Sequence, residues 1–279
     1  MGRVAVIGDV GGHPGQLRAA LAALGAHDGH LPPDLTVIQV GDLVDRGPDS
    51  AGVLNLVGRY LTEQPEQWVQ LVGNHESQYL PGGVTFWRDR LTDRDAGLLR
   101  SWWGDDRMRV AAVVRTDNGD DVLVTHAGLT VDAWQMLGEP MTATTAAFLL
   151  NERPEPLLWL GDGFLTDTVA GPLWAEAASE LYEPWMRFYG DGGFVPFDQC
   201  HGHSSIVSFS DQTWRCTGRI RQRATVDWEA RHVRVRVGGR TFTGVDPKHG
   251  RSGAARWRPL VFDDAEVLGG FVASNVEGS

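Results

Sequence analysis

A chain of 279 residues with 42% hydrophobic and 22% charged residues can bury a full core, which excludes wholesale disorder. Its formal net charge of −11 disfavours a nucleic-acid polymer as partner, since such binders normally carry a basic field. Two cysteines, Cys200 and Cys216, are too few for a disulfide framework and form no CxxC pair for a thiolate zinc site.

The first strand-like run begins at Arg3, leaving no room for a signal peptide, and Val6 stands where a myristoylation signal needs Ser or Thr. No apolar run reaches the roughly 18 residues of a membrane span, so no membrane partner and a cytoplasmic setting are expected. In chain order, "RVAVIGD" is followed by "PGQLRAALAALG", with Pro14 at a helix start and Gly25 at its end. "DLTVIQVGD" leads into the helical "GPDSAGVLNLVGRYL", and "QWVQLVGNHE" into a shorter helix. Near-continuous apolar strands separated by helices predict a sheet covered on both faces. "VRTDNGDDVLVTHAG" predicts a hairpin through Asn118-Gly119, and "TATTAAFLLNE" a helix within an otherwise loop-like stretch from about 130 to 195. The runs "FDQCHGH", "SIVSFS", "RATVDWEA", "RHVRVRV", "RTFTGV" and "RWRPLVFDD" predict a β-rich, mainly antiparallel second half. With no low-complexity linker, residues 1–279 read as one domain, α/β at first and β-rich later.

Polar residues gather just after the apolar runs, which end in Gly8-Asp9, Gly41-Asp42, Gly73-Asn74-His75-Glu76, His126-Ala127-Gly128 and His201-Gly202-His203. In open α/β sheets the C-terminal strand ends converge on one edge, so these side chains would meet there. Carboxylate, amide oxygen and imidazole without thiolate suit borderline or hard divalent ions such as Mn, Fe or Zn. One Asp bridging two ions would give a two-metal site, and two carboxylates against two dications leave a positive pocket for a phosphate. "GDVGGH" matches neither a dinucleotide fingerprint nor a P-loop, and Asp9 would repel a pyrophosphate unless a cation lay between them.

"GDVGGH", "GDLVDRGPDS", "GNHE", "THAGL" and "HGHSS" together resemble the ordered motifs of the calcineurin-like metallophosphoesterases. The resemblance is nearest to the phosphoprotein phosphatase branch and its bacterial relatives, including symmetrical diadenosine tetraphosphatases. It implies an α/β fold, a two-layer β-sandwich flanked by helices (αββα), and hydrolysis of a phosphoric ester at two divalent ions, manganese first and iron or zinc next. By position, Asp42 would bridge the metals, Asn74, His126 and His203 would complete one site, and Asp9 would belong to the other. His75 would be the general acid, oriented by Asp45, and Arg46 would hold phosphate oxygens with its planar fork. A hydroxide between the metals would attack phosphorus without a covalent phosphoenzyme. The implied substrate is a phosphoprotein or small phosphomonoester; the alternative is a nucleoside polyphosphate of the diadenosine tetraphosphate type.

One position departs from the pattern. The family's first motif reads GD-x-HG, and its histidine ligates the same metal as Asp9; here that position is Gly11. His13 is a substitute candidate, against the commoner fate of a loop histidine as a solvated or helix-capping group. The missing ligand motivates a reading of a different class, a non-catalytic phosphate-binding module, against which His75, Asp45 and Arg46 are all retained. His201 and His203 compete for one role, and Gly-His-Ser favours His203. Arg187 and Arg221 are candidates for a second phosphate-holding arginine. His27, His30 and His249 read as loop residues, Trp102, Trp103 and Trp174 as core or rim aromatics, and Cys200 as a buried small residue.

Overall fold

The apolar run that opens the chain forms a strand buried on both faces. In β1 (Gly2–Ile7), Ala5 and Ile7 join a core shared with helices, whereas Val4 and Val6 join a second apolar layer. Both faces being covered is why the run is continuous rather than alternating with polar residues. The computed structural model describes residues 2–161, 170–249 and 256–269.

After β1 come α1 (Pro14–Ala23), β2 (Leu35–Gln39), α2 (Ser50–Glu63), β3 (Trp68–Leu71), the single turn α3 (Asn74–Ser77), α4 (Asp93–Gly104) and β4 (Met108–Arg109). Pro14 opens α1, while Asp49 and Thr92 cap α2 and α4 by accepting the backbone N–H of Gly52 and Asp95. Strands β1 to β4 pair in parallel, so their C-terminal ends lie on one edge.

The second half holds β5 (Ala111–Arg115), β6 (Asp121–Thr125), α5 (Val131–Met136), α6 (Ala143–Asn151), α7 (Glu183–Gly190) and β7 (Asp198–His201). It continues through β8 (Val207–Ser208), β9 (Thr213–Trp214), α8 (Gly218–Arg221), β10 (Ala224–Asp227), β11 (His232–Val237), β12 (Arg240–Gly244) and β13 (Leu260–Leu268). The expected hairpin is present as antiparallel β5 and β6. The expectation of a mainly antiparallel half needs one correction: β7 lies parallel to both β6 and β12. The long helix-bearing connection from β6 to β7 permits this, since parallel neighbours need a crossover. Its result is that β6, β7 and β12 end on the same edge.

The strand order is β10-β11-β12-β7-β6-β5-β13-β1-β2-β3-β4. The N-terminal part of β13 pairs with β1 and its C-terminal part with β5, joining the halves. Val4, Val6, Ile38 and Val40 from one half share an apolar cluster with Val114, Val124, Cys200 and Val245 from the other, so the halves pack face to face. Leu17 and Leu21 of α1, Val53, Leu54 and Val57 of α2 and Ala146 and Leu150 of α6 belong to the other, larger cluster, so helices cover the outer faces. This is the helix-flanked two-layer arrangement expected; each fully buried Leu or Val contributes about 1.5–3 kcal/mol. Among the described residues no helix is long and apolar enough to cross a membrane.

Candidate metal centre

The loops at the shared edge hold unusual backbone. Asp42, Asp45, Arg46 and His203 have φ of 54°, 67°, 58° and 61°, a left-handed conformation that costs non-glycine residues roughly 1–2 kcal/mol each. At Asp42 the conformation is held by Glu76, whose fully buried carboxylate accepts the backbone N–H of Asp42, Leu43, Val44 and Gly73 at 2.7, 2.8, 3.3 and 2.9 Å. Burial and then Asp42 push the Glu76 carboxyl up, to about 7, yet four donors and no acceptor around it favour the carboxylate. Gly41, at φ 104°, is required because a β-carbon there would run into the Gly73 backbone.

Asp42, His126 and His203 present ligand atoms all within 4.8 Å of one another. His126 donates Nδ1–H to the Val40 carbonyl at 2.9 Å, and burial lowers its pKa, so the ring is neutral with a bare Nε2. That nitrogen faces Asn74 Oδ1 at 3.0 Å and Asp42 Oδ1 at 3.4 Å. His203 Nδ1 lies 3.1 Å from the same Asn74 oxygen, and burial followed by His126 drives its pKa well down. Asp42 Oδ2 is buried without a hydrogen-bond partner. Burial alone would raise the Asp42 carboxyl, but neighbouring cations, His75 first and Arg46 with it, hold it below its ordinary value and ionised. Between the bare His126 Nε2 and the Asn74 and Asp42 oxygens there is no proton, an arrangement of lone pairs that is unfavourable unless a cation takes their centre. Oxygen and imidazole donors fit a divalent ion of borderline hardness.

The Asp9 side differs. Asp9 is buried and accepts the His203 backbone N–H at 3.0 Å; burial, then Asp246 and Asp42, push its carboxyl well up. Gly11, at φ 51°, offers no ligand atom, although a β-carbon there would come no nearer than 3.5 Å to Arg46 Cδ. His13 is buried at the start of α1 with its ring 5.2 Å from that of His249, and its side chain forms no helix-cap bond.

Beside Asp42, His75 Nδ1 meets Asp45 Oδ2 at 2.7 Å, while Nε2 faces Arg46 Nη2 at 3.2 Å and Asp42 Oδ2 at 3.8 Å. Burial would lower the His75 pKa, but Asp42 and the Asp45 hydrogen bond overcome it and raise it. Burial likewise opposes the Arg46 charge, and Asp42, Asp9 and Asp246 more than restore it. Rings wall this side: Phe86 and Trp87 stand 5.0 and 4.8 Å from His75, and Trp174 stands 4.8 Å from Phe86 and 6.4 Å from His203.

Thus Asp9, Asp42, Asp45, Arg46, Asn74, His75, His126 and His203 come together. Arg187 does not: it is exposed on α7, which packs through Trp185 and Met186, and no described contact ties it to the cluster. Arg221 lies over the Trp214 ring at 5.3 Å. His201 has both ring nitrogens engaged, by Tyr182 OH at 2.6 Å and the Gly202 carbonyl at 2.9 Å, so His203 is the one free to ligate. Cys200 is fully buried, its thiol pushed to about 12. Trp102 and Trp103 are core residues. His249, read as a loop residue, is on a loop but buried. Asp246, Lys248 and Glu76 escaped sequence reasoning; extending the strand-end rule to "RTFTGVDPKH" would have found the first two.

The sequence profile of the calcineurin-like phosphoesterases matches residues 2–206. The symmetrical bis(5'-nucleosyl)-tetraphosphatase of Photorhabdus laumondii is 30% identical over 155 residues, 54% of this chain and 53% of that protein. The enzyme of the same name from Baumannia cicadellinicola is 34% identical over 155 residues, 54% of this chain and 50% of that protein. The chain therefore spans about half the length of these curated relatives. A crystal structure of the cold-active protein-tyrosine phosphatase of a Shewanella species matches with a TM-score of 0.55 at 15% identity, over 95% of this chain and 76% of that one, a likeness of fold. With the profile covering most of the chain and its strand-end residues drawn into one cluster, the protein belongs to the calcineurin-like phosphoesterase family.

Proposed function

We propose that the protein hydrolyses a phosphoric ester with two divalent cations, manganese by first choice and iron or zinc by the same donor chemistry. The observation that carries this reading is the bare His126 Nε2 facing Asn74 and Asp42 oxygens, next to a His75 whose proton Asp45 and Asp42 retain. Asp42, Asn74, His126 and His203 would hold one ion, and Asp9 with Asp42 the other. When bound, such ions polarise phosphoryl oxygens and bring a water's pKa toward working pH. Arg46 would grip the phosphoryl oxygens, and its raised pKa keeps it charged. Once Arg46, which can only donate to Nε2 across their 3.2 Å contact, turns to the phosphoryl oxygens, His75 would carry a proton on Nε2 for the leaving oxygen, its ring fixed by the Nδ1–H to Asp45 bond of 2.7 Å. Two unpaired cysteines accord with a reducing, cytoplasmic setting.

The substrate would be a phosphomonoester, on a protein or a small molecule. A nucleoside polyphosphate is the second reading, favoured by the Phe86, Trp87 and Trp174 rings around His75, on which a base can stack, and by the names of the curated relatives. The test is turnover of p-nitrophenyl phosphate and of bis(5'-adenosyl) tetraphosphate by chelated protein titrated with manganese. Saturable, manganese-dependent turnover of the first supports a monoesterase, and of the second alone a polyphosphate hydrolase. No turnover of either with any divalent ion would reject the catalytic reading in favour of a phosphate-binding module.

A further inference from the structure

We propose that Asp246 and His249, on the loop after β12, complete the Asp9 side of the centre as cation ligands, in place of the imidazole that Gly11 lacks. The proposal rests on the two-ion reading above and specifies who holds the second ion.

Register brings the loop there. β12 lies parallel to β7 with Gly244 opposite His201, so the chain leaves β12 beside the segment that carries His203. Val245 N–H then donates to the His201 carbonyl at 2.8 Å. Gly8, just before Asp9, packs so closely on Val245 that a β-carbon would run into the Val245 carbonyl. Asp246 follows at once, 4% exposed, and is the strongest charged neighbour of Asp9. Its field is also felt at Arg46, His126 and His203.

Three buried carboxylates, Asp9, Asp42 and Asp246, thus crowd one region. His75 beside Asp42, Arg46 and Lys248 are cations next to them, and Lys248 Nζ lies 3.1 Å from Asp246 Oδ2 and 3.2 Å from the His203 carbonyl. The Lys248 side chain is 33% exposed, so its ammonium can move to water and release Asp246.

An independent observation comes from His249. It is 8% exposed, yet among the described residues neither ring nitrogen meets a hydrogen-bond partner. The ring lies near the Asp9 main chain, 5.2 Å from the His13 ring and 5.7 Å from that of Trp257, and the Asp246 charge acts on it. A neutral imidazole so placed has a lone pair to offer a cation. Leaving such buried polar atoms unsatisfied is costly. Among the described residues only Asp42, His126 and His203 already hold ligand atoms within 4.8 Å of one another, so a cation shared by Asp9, Asp246 and His249 would draw these side chains together, removing that cost and the carboxylate repulsion at once. The departure at Gly11 is then a relocation of the nitrogen ligand.

The test uses the full chain, stripped by chelation and reloaded with Mn2+, with bound metal measured at equilibrium and the spin-coupled pair read by electron paramagnetic resonance. Wild type should bind two ions per chain. Asp246→Asn, which retains the oxygen that accepts the Lys248 N–H, and His249→Gln, close in volume, should each keep the first ion and weaken the second at least about tenfold, with loss of the coupled signal. Gly11→His placed on His249→Gln should recover part of that affinity. Thermal melts identify a variant that fails to fold, and the isosteric Asp246→Asn then decides alone. Two ions bound by the variants with wild-type affinity would overturn the assignment and leave the two-ion reading standing. A single ion in wild type would overturn both.

Discussion

The two sides of the centre are built to different degrees. Around His126, an amide oxygen, a carboxylate and a second imidazole converge, and the ring is fixed by its bond to Val40. Around Asp9, the motif position that should bring a nitrogen is Gly11, and the nearest groups come from another strand end. Asp42 stands beside both, 3.4 Å from His126 Nε2 and close enough for its charge to act on Asp9. The lesson is that a strand-end site has more suppliers than its signature motifs, because any neighbouring parallel strand delivers its own exit loop to the same edge.

Removing the shared member should have the largest effect. Asp42→Asn should abolish the difference between the sides by weakening both ions and lower turnover roughly 10³-fold. Asn tolerates the left-handed backbone at 42, so a circular dichroism melt should be nearly unchanged. His75→Asn should act on neither side: kcat should fall about 10²–10⁴-fold while manganese affinity holds, and a good leaving group such as p-nitrophenolate should shrink the loss. Manganese affinity falling with it would place His75 among the ligands.

Glu76→Gln probes the scaffold under both sides. Its amide would set N–H against the backbone donors of Asp42, Leu43, Val44 and Gly73, costing about 2–3 kcal/mol and visible as a lower denaturant midpoint. Comparing His126→Ala with Asp9→Ala sharpens the contrast directly: the first should lower the tighter manganese affinity by about 10–100-fold, the second only the weaker one. Equal effects of the two on a single binding phase would erase the distinction.

The smallest effect concerns pH. Asp42 and the Asp45 hydrogen bond raise the His75 pKa, so the proton for the leaving oxygen persists to higher pH than on an ordinary imidazole and kcat/KM should fall on the alkaline limb. The stability from its pairing with Asp45 is full below the unfolded pKa and lost as pH rises through the folded one. Asp45→Asn should move the limb to lower pH with about a tenfold loss of kcat, and saturating metal, by neutralising Asp42, should move it the same way.

Much of this was legible from residue order. Asp9, Asp42, Asn74, His126 and His203 each follow an apolar run, and parallel strands must place such residues on one edge, where the structure brings them together. The layers were legible because doubly buried runs need cover on both faces. What escaped depended on pairing between distant segments. "RTFTGV" has the alternation of a hairpin strand, and only its parallel register with β7 puts Asp246 beside Asp9. The local signal of Glu76 reaches only the Gly73 N–H three residues back, and its other donors, Asp42, Leu43 and Val44, lie 32 to 34 residues away. Arg187 was proposed by residue type alone, and an exposed helix face carries it elsewhere.

The way β13 bridges β1 and β5 also governs how the molecule is made. Gly2 is paired with Ala265 and Val113 with Leu268, so a nascent chain growing at the usual rate leaves the β1 edge bare for about 13–50 s and the β5 edge for about 8–30 s before their partner emerges. Unpaired edges recruit other chains, which makes this interval the time when a chaperone matters most. A fragment cut at residue 206, where the family profile stops, would retain every residue of the centre from Asp9 to His203 and still lack that strand. It should aggregate through those edges rather than yield a minimal catalyst.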